Sequence, residues 1–103
     1  MGRRHRGPPG QIVYYAGWAG LSMPRVPTDP ISAAEAMGRQ TYYRAEYDED
    51  GRLARFAKFL GDVVMWADSY SYWTNGRLRN RTMRKDDGSE ISEDYDRHGR
   101  LVR

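Results

Sequence analysis

Hydrophobic and polar positions alternate differently in three parts of this chain. Residues 12–20, IVYYAGWAG, form an apolar and aromatic run broken by Gly17 and Gly20. That pattern predicts a short strand leading into a close backbone approach. Pro24, Pro27 and Pro30 then recur every third residue, the spacing of an extended, polyproline-like connector. ISAAEAMGRQ predicts a helix near residues 32–39: Ser32 and Glu35 suit a capping box, Ile31 and Ala36 a staple, and Ile31, Ala34 and Met37 share a face. From Thr41 onward, short alternating segments are punctuated by Asp50-Gly51, Gly61-Asp62, Asn75-Gly76, Asp87-Gly88 and His98-Gly99. Read as two-residue hairpin turns, these pairs predict consecutive antiparallel strands. The expected fold class is α+β: an antiparallel β-meander of about six strands with one short helix packed on one face.

Two-residue turns fix every cross-strand partner by arithmetic. They set Glu46 opposite Arg55, Arg55 opposite Asp68, Arg79 opposite Asp96, Arg81 opposite Asp94, Lys85 opposite Glu90, Tyr70 opposite Arg81 and Tyr72 opposite Arg79. Acids fall beside bases, and guanidinium groups beside rings, along one wet face. The other face collects apolar residues such as Tyr43, Tyr47, Phe56, Val63 and Ala67 and is the expected core side. The candidate binding surface is therefore Trp66, Tyr70, Tyr72, Arg79, Arg81 and Lys85. A candidate pocket lies near Gly17, Trp18 and Gly20, lined by Tyr43 or Tyr47.

One phrase occurs three times: YDEDGRL at 47–53, YWTNGRL at 72–78 and YDRHGRL at 95–101. Each Tyr ends a strand, the Gly makes the reversal and Arg-Leu opens the next strand, so the period is one hairpin step. The phrase resembles the YD repeat of Rhs-type bacterial proteins, matching fully at Tyr47, Asp48, Gly51, Arg52 and Leu53 and at Tyr95, Asp96, Gly99, Arg100 and Leu101. The middle copy departs, with Trp73 in place of the Asp. The resemblance covers residues 41–103 and implies β-meander architecture. The known shells of that group enclose other polypeptides, but three copies are too few to close one. With the Pro-rich connector and helix added, the whole chain is also similar to small uncharacterised bacterial proteins of the domain-of-unknown-function kind.

Charge and composition then restrict the chemistry. Lys and Arg number 17 against 14 Asp and Glu, and removing Arg3, Arg4 and Arg6 leaves 14 of each, so the excess sits at the N-terminus. Residues 1–11 are expected to be a disordered basic tail on a single β-meander domain spanning 12–103. The absence of Cys excludes a disulfide framework and thiolate metal sites and favours an intracellular, cytoplasmic reading. No apolar run approaches the length of a spanning helix, so no membrane partner is expected.

Catalytic candidates are few. Of the two His residues, His98 occupies a turn position, where His tolerates positive φ. Asp94, Asp96 and His98 alternate as metal ligands would, but the two acids face arginines, so neither a metal nor another cofactor is expected. The function that fits is non-catalytic binding or assembly, with a protein partner or a second copy meeting the aromatic and arginine face. Single-stranded nucleic acid on the same face is the second reading, and a small-ligand or enzymatic role in the Gly17–Gly20 pocket the third.

Overall fold

The computed structural model describes residues 6–102. It overturns the α+β expectation of about six strands. Among the described residues there are eight strands and a single five-residue helix. The strands are β1 (Ile12–Ala19), β2 (Val26–Ile31), β3 (Thr41–Tyr47), β4 (Leu53–Leu60), β5 (Val63–Tyr72), β6 (Leu78–Lys85), β7 (Glu90–Tyr95) and β8 (Leu101–Val102), with α1 (Ala33–Met37) between β2 and β3. All eight join one antiparallel sheet in the order β2-β1-β3-β4-β5-β6-β7-β8.

Part of the proline connector is itself a strand. Gly17 pairs with Thr28 and Trp18 with Pro27 across β1 and β2. An edge strand needs hydrogen bonds on one side only, so prolines without an N–H are tolerated there. The helix has the expected cap: the Ser32 side chain accepts from Glu35 N at 3.0 Å, and Glu35 Oε1 accepts from Ser32 N at 2.8 Å. It is shorter than predicted, and its buried residue is Ala36, whereas Met37 is exposed.

The five expected reversals are present, but only one is a two-residue turn. Gly61, with φ 61, sits between Leu60 and Val63, the position that a type II′ turn needs filled by glycine. The other four close as three-residue loops with the Gly last. Asp48 N donates to Arg52 O at 2.9 Å, Trp73 N to Arg77 O at 2.8 Å, Lys85 N to Ser89 O at 2.9 Å and Asp96 N to Arg100 O at 2.8 Å. Side chains hold these loops. Asp48 Oδ1 accepts from the N–H groups of Asp50 and Arg52, and Asp96 Oδ1 from those of His98 and Arg100. Where Trp73 replaces the Asp, Asn75 takes over and accepts from Arg77 N at 2.9 Å.

One extra loop residue shifts the register by one unless a bulge restores it. Bulges after Glu46 and Ser71 do so, and Glu46–Arg55 and Tyr70–Arg81 stand opposite as expected. Tyr72, beyond the second bulge, faces Leu78 and not Arg79. A further irregularity in β4–β5 sets Phe56, rather than Arg55, against Asp68. No bulge corrects β6–β7, so Arg81 faces Glu93, Asn80 faces Asp94 and Arg84 faces Glu90.

The slip moves the expected wet face indoors. Tyr70 joins Ala45, Tyr47, Leu53, Phe56 and Leu78 in one buried cluster, against which Trp66 and Tyr72 pack. Asp68 is 0% exposed and Arg81 6%. The sheet's other side holds a second cluster of Ala36, Tyr42, Ala57, Phe59 and Ala67 under the helix. Val63, expected in the core, is 57% exposed. The sheet is thus covered on both sides in part, by α1 on one and by the Gly20–Arg25 connection on the other.

Candidate binding groove

The Gly20–Arg25 connection is held down by one side chain. Arg25 Nε donates to Asp68 Oδ2 at 2.8 Å, its guanidinium lies 4.3 Å from the ring centroids of both Trp18 and Trp66, and its backbone N–H reaches Tyr70 Oη at 3.3 Å. Asp68 also accepts from Tyr70 Oη at 2.5 Å and from Arg81 Nη2 at 3.3 Å. Arg81 Nη1 continues to Glu93 Oε1 at 3.1 Å, and Tyr95 Oη donates to the same oxygen at 3.1 Å. Two arginines and two carboxylates make this network neutral, which is the condition for keeping such charges inside.

Burial, then the hydrogen bond to Asp68, pushes the Tyr70 hydroxyl well above its ordinary value. Burial works against the Arg81 charge, but Asp68 and Glu93 outweigh it and hold the guanidinium above its usual range. These groups are structural in their geometry: their charged ends meet one another inside the fold, with Arg81 Nε the buried atom left without a partner.

The three seven-residue phrases build the neighbouring wall. Their loops stand side by side at one end of the sheet, because alternate turns of a meander lie at the same end. In the first two phrases the Arg after the Gly reaches the following loop, whereas Arg100 of the third pairs with Asp96 of its own loop. An Arg52 nitrogen lies 3.6 Å from where a Gly76 Cβ would stand, and an Arg77 nitrogen 3.3 Å from the same point at Gly99. Arg77 Nη1 donates to His98 O at 3.1 Å, and Asn75 Nδ2 to Arg97 O at 3.0 Å. At the first loop, Arg6 plays the same part: its Nη1 donates to Asp50 O at 2.7 Å, while Gly7 N donates to Gly51 O at 2.9 Å. Residues 6–11 of the expected disordered tail therefore lie along the β3–β4 loop, and residues 1–5 fall outside the described residues.

Between the connection and this column of loops runs a groove of about 690 Å³. Leu53, Tyr72, Leu78 and Tyr95 contribute apolar surface, and Arg6, Arg25, Arg52 and Arg77 line it with no carboxylate among the lining residues. Arg25 is paired with Asp68 and Arg52 lies 3.5 Å from Asp50, whereas Arg6 and Arg77 use backbone carbonyls as partners and meet no carboxylate among the described residues. A smaller hollow of about 480 Å³ lies on the helix side of the sheet at Arg55, Ser69, Thr82 and Arg84; there Arg84 is already bonded to Glu90.

The sequence-predicted residues are scattered by comparison. Tyr70 and Arg81 are buried, Trp66 is covered by Arg25, and Tyr72 borders the groove with its hydroxyl donating to Leu53 O at 2.6 Å. Arg79 lies over the Trp73 ring at 4.7 Å, and Lys85 is exposed at the opposite end of the sheet. Of the pocket residues, Gly17 pairs with Thr28, Trp18 stacks on Arg25, Gly20 begins the connection, Tyr43 stacks on Phe56 at 5.4 Å and Tyr47 is buried with its hydroxyl 2.8 Å from Tyr15 Oη. None of the five lines either hollow. Arg6 and Arg52 lay outside the expected binding surface; the repeated Gly-Arg pair was the signal for Arg52, and Arg6, in the basic N-terminal segment, had none.

Among the described residues no cluster of three His, Asp or Glu is placed to hold a metal, and no helix is long and apolar enough to cross a membrane. The model of a family of unknown function (DUF6156) matches residues 8–103. No curated protein and no solved structure matches the chain.

Proposed function

The chain belongs to that family of unknown function, and from this premise we propose that it is a non-catalytic binding module whose groove takes an extended acidic segment of a protein partner. The observation that carries the reading is the lining: four arginines, a strip of aromatic and aliphatic surface, and no carboxylate. Arginine presents a planar fork suited to carboxylates, and Tyr and Leu beside it supply apolar contact. The three phrases, which resemble YD repeats, serve here as the scaffold that spaces the arginines one strand pair apart.

The nucleic-acid alternative asks for open aromatic faces on which bases stack. Trp66 has Arg25 against it, and Trp73 has the guanidinium groups of Arg79 and Arg97 at 4.7 and 5.0 Å. The geometry therefore favours a carboxylate-bearing chain. The test is calorimetric titration with an Asp- and Glu-rich peptide, a Lys-rich peptide and a single-stranded oligonucleotide of matched length. The acidic peptide is expected to bind in a salt-sensitive manner, and Arg52→Gln with Arg77→Gln to weaken it by about tenfold. Tighter binding of the oligonucleotide than of the acidic peptide overturns the reading.

A further inference from the structure

The protein's other end presents a segment of the chemistry the groove would take. The β6–β7 loop lies at the opposite end of the sheet from the groove and is exposed throughout Arg84–Glu90. It carries Asp86, Asp87 and Glu90 against Arg84 and Lys85, and because Arg84 is bonded to Glu90, the carboxylates left at the tip are Asp86 and Asp87. It is also held rigid: Asp86 N donates to Met65 O at 3.1 Å, and Asp87 Oδ1 accepts from Ser89 N at 2.9 Å and Ser89 Oγ at 2.6 Å. An acidic, ordered, protruding turn is what an arginine-lined groove would fit, and the same chain offers both. Eight residues of β6 at about 3.3 Å each separate the two ends, so the loop does not reach its own groove.

We propose that the acidic segment held in the groove is the β6–β7 turn of a second copy, so that the protein associates head to tail. This rests on the groove reading and names its partner. Asp86 and Asp87 of one copy meet Arg52 and Arg77 of the next. The two surfaces are different patches, so the contact is heterologous, and a pair keeps one free groove and one free turn with which to add another copy.

Pairing through sheet edges is the competing route to a second copy, and the sequence of each edge opposes it. The β2 edge carries Pro27 and Pro30, with Asp29 at φ 60. The other edge is β8, only two residues long, which covers β7 at Asp94 and Tyr95 and offers too short a ladder for a second chain.

The test is sedimentation and light scattering over a concentration series in low and high salt, with acidic-peptide titration in parallel. Wild type is expected to gain mass with concentration in low salt and to lose it in high salt. Asp86→Lys combined with Asp87→Asn, which keeps the loop's side-chain acceptor, is expected to weaken association by at least about tenfold and leave peptide binding unchanged. Arg77→Glu and Asp86→Arg are each expected to stay monomeric alone and to associate when mixed, since the reversed charges then face each other; circular dichroism of each confirms folding. A wild type that binds the peptide yet stays monomeric overturns the head-to-tail contact and leaves the groove reading standing. Association that survives Asp86→Lys with Asp87→Asn overturns it equally. Association that needs Asp86 but is not competed by a peptide that binds moves the contact out of the groove and overturns the head-to-tail proposal alone, whereas failure of the peptide to bind at all overturns the groove reading and the proposal with it.

Discussion

Four glycines decide how the chain turns, and they are not equivalent. Gly51, Gly76, Gly88 and Gly99 all hold φ between 80 and 89, a conformation that costs an L-residue about 1 to 2 kcal/mol. At Gly88 an added Cβ meets nothing within 4 Å, whereas at Gly51 it would stand 2.8 Å from Gly7 O. Gly88→Ala is expected to cost only the conformational term, and Gly51→Ala measurably more, because the Arg6–Gly10 segment must also lift away. Urea denaturation of the two variants checks this; equal losses would mean that the segment contributes nothing at that loop. The requirement for Gly at these positions is legible in the sequence. The choice between a two-residue and a three-residue loop is not, because Asp48 and Asp96 close the longer loop through side-chain contacts that an X-Gly pair does not reveal.

At the scale of elements, the connection between β1 and β2 and the meander beneath it are joined chiefly through Arg25 and Asp68. Asp68 answers two guanidinium groups, so Asp68→Asn leaves both arginines without their shared counter-charge in a buried site. Removing one partner of a buried pair costs about 3 to 5 kcal/mol, a large part of the 5 to 15 kcal/mol typical of a domain. The expected outcome is a sharp fall in the urea midpoint together with faster proteolytic cleavage within residues 20–25. An unchanged midpoint would show that the network is not a structural anchor. Sequence reasoning found the ingredients: Tyr70 opposite Arg81 was read correctly, and so was Glu46 opposite Arg55. It placed Asp68 on the wet side because a single irregularity in β4–β5 moves every later residue of the pairing by one.

For the whole molecule, a sheet buried on parts of both faces takes several tyrosines out of water. Burial raises the Tyr47 hydroxyl, with Tyr15 adding to the effect, and likewise raises Tyr70. Because these groups titrate later in the folded chain than at the ordinary value near 10, their contribution is complete below about pH 10 and is lost as pH rises further. Each should remove about 1.4 kcal/mol per pH unit in that window. Urea unfolding followed from neutral to strongly alkaline pH should show the decline, with the tyrosinate absorbance of Tyr47 and Tyr70 appearing only as the fold opens. Ionisation of Tyr47 and Tyr70 in the folded chain near the ordinary value, with stability unchanged, would contradict the burial.

The sequence by itself determined the positions of the five reversals, the helix start at Ser32 and the threefold phrase, because turn chemistry and capping act within a few residues. Tertiary structure alone decided that Val26–Ile31 would add an edge strand, that the ion-paired aromatic side would become core, and that Arg6, Arg52 and Arg77 would converge. Those outcomes depend on loop closure and bulges, where one residue more or less exchanges the two faces of a strand; local preference fixes the bends, and packing chooses which side of the ribbon faces water.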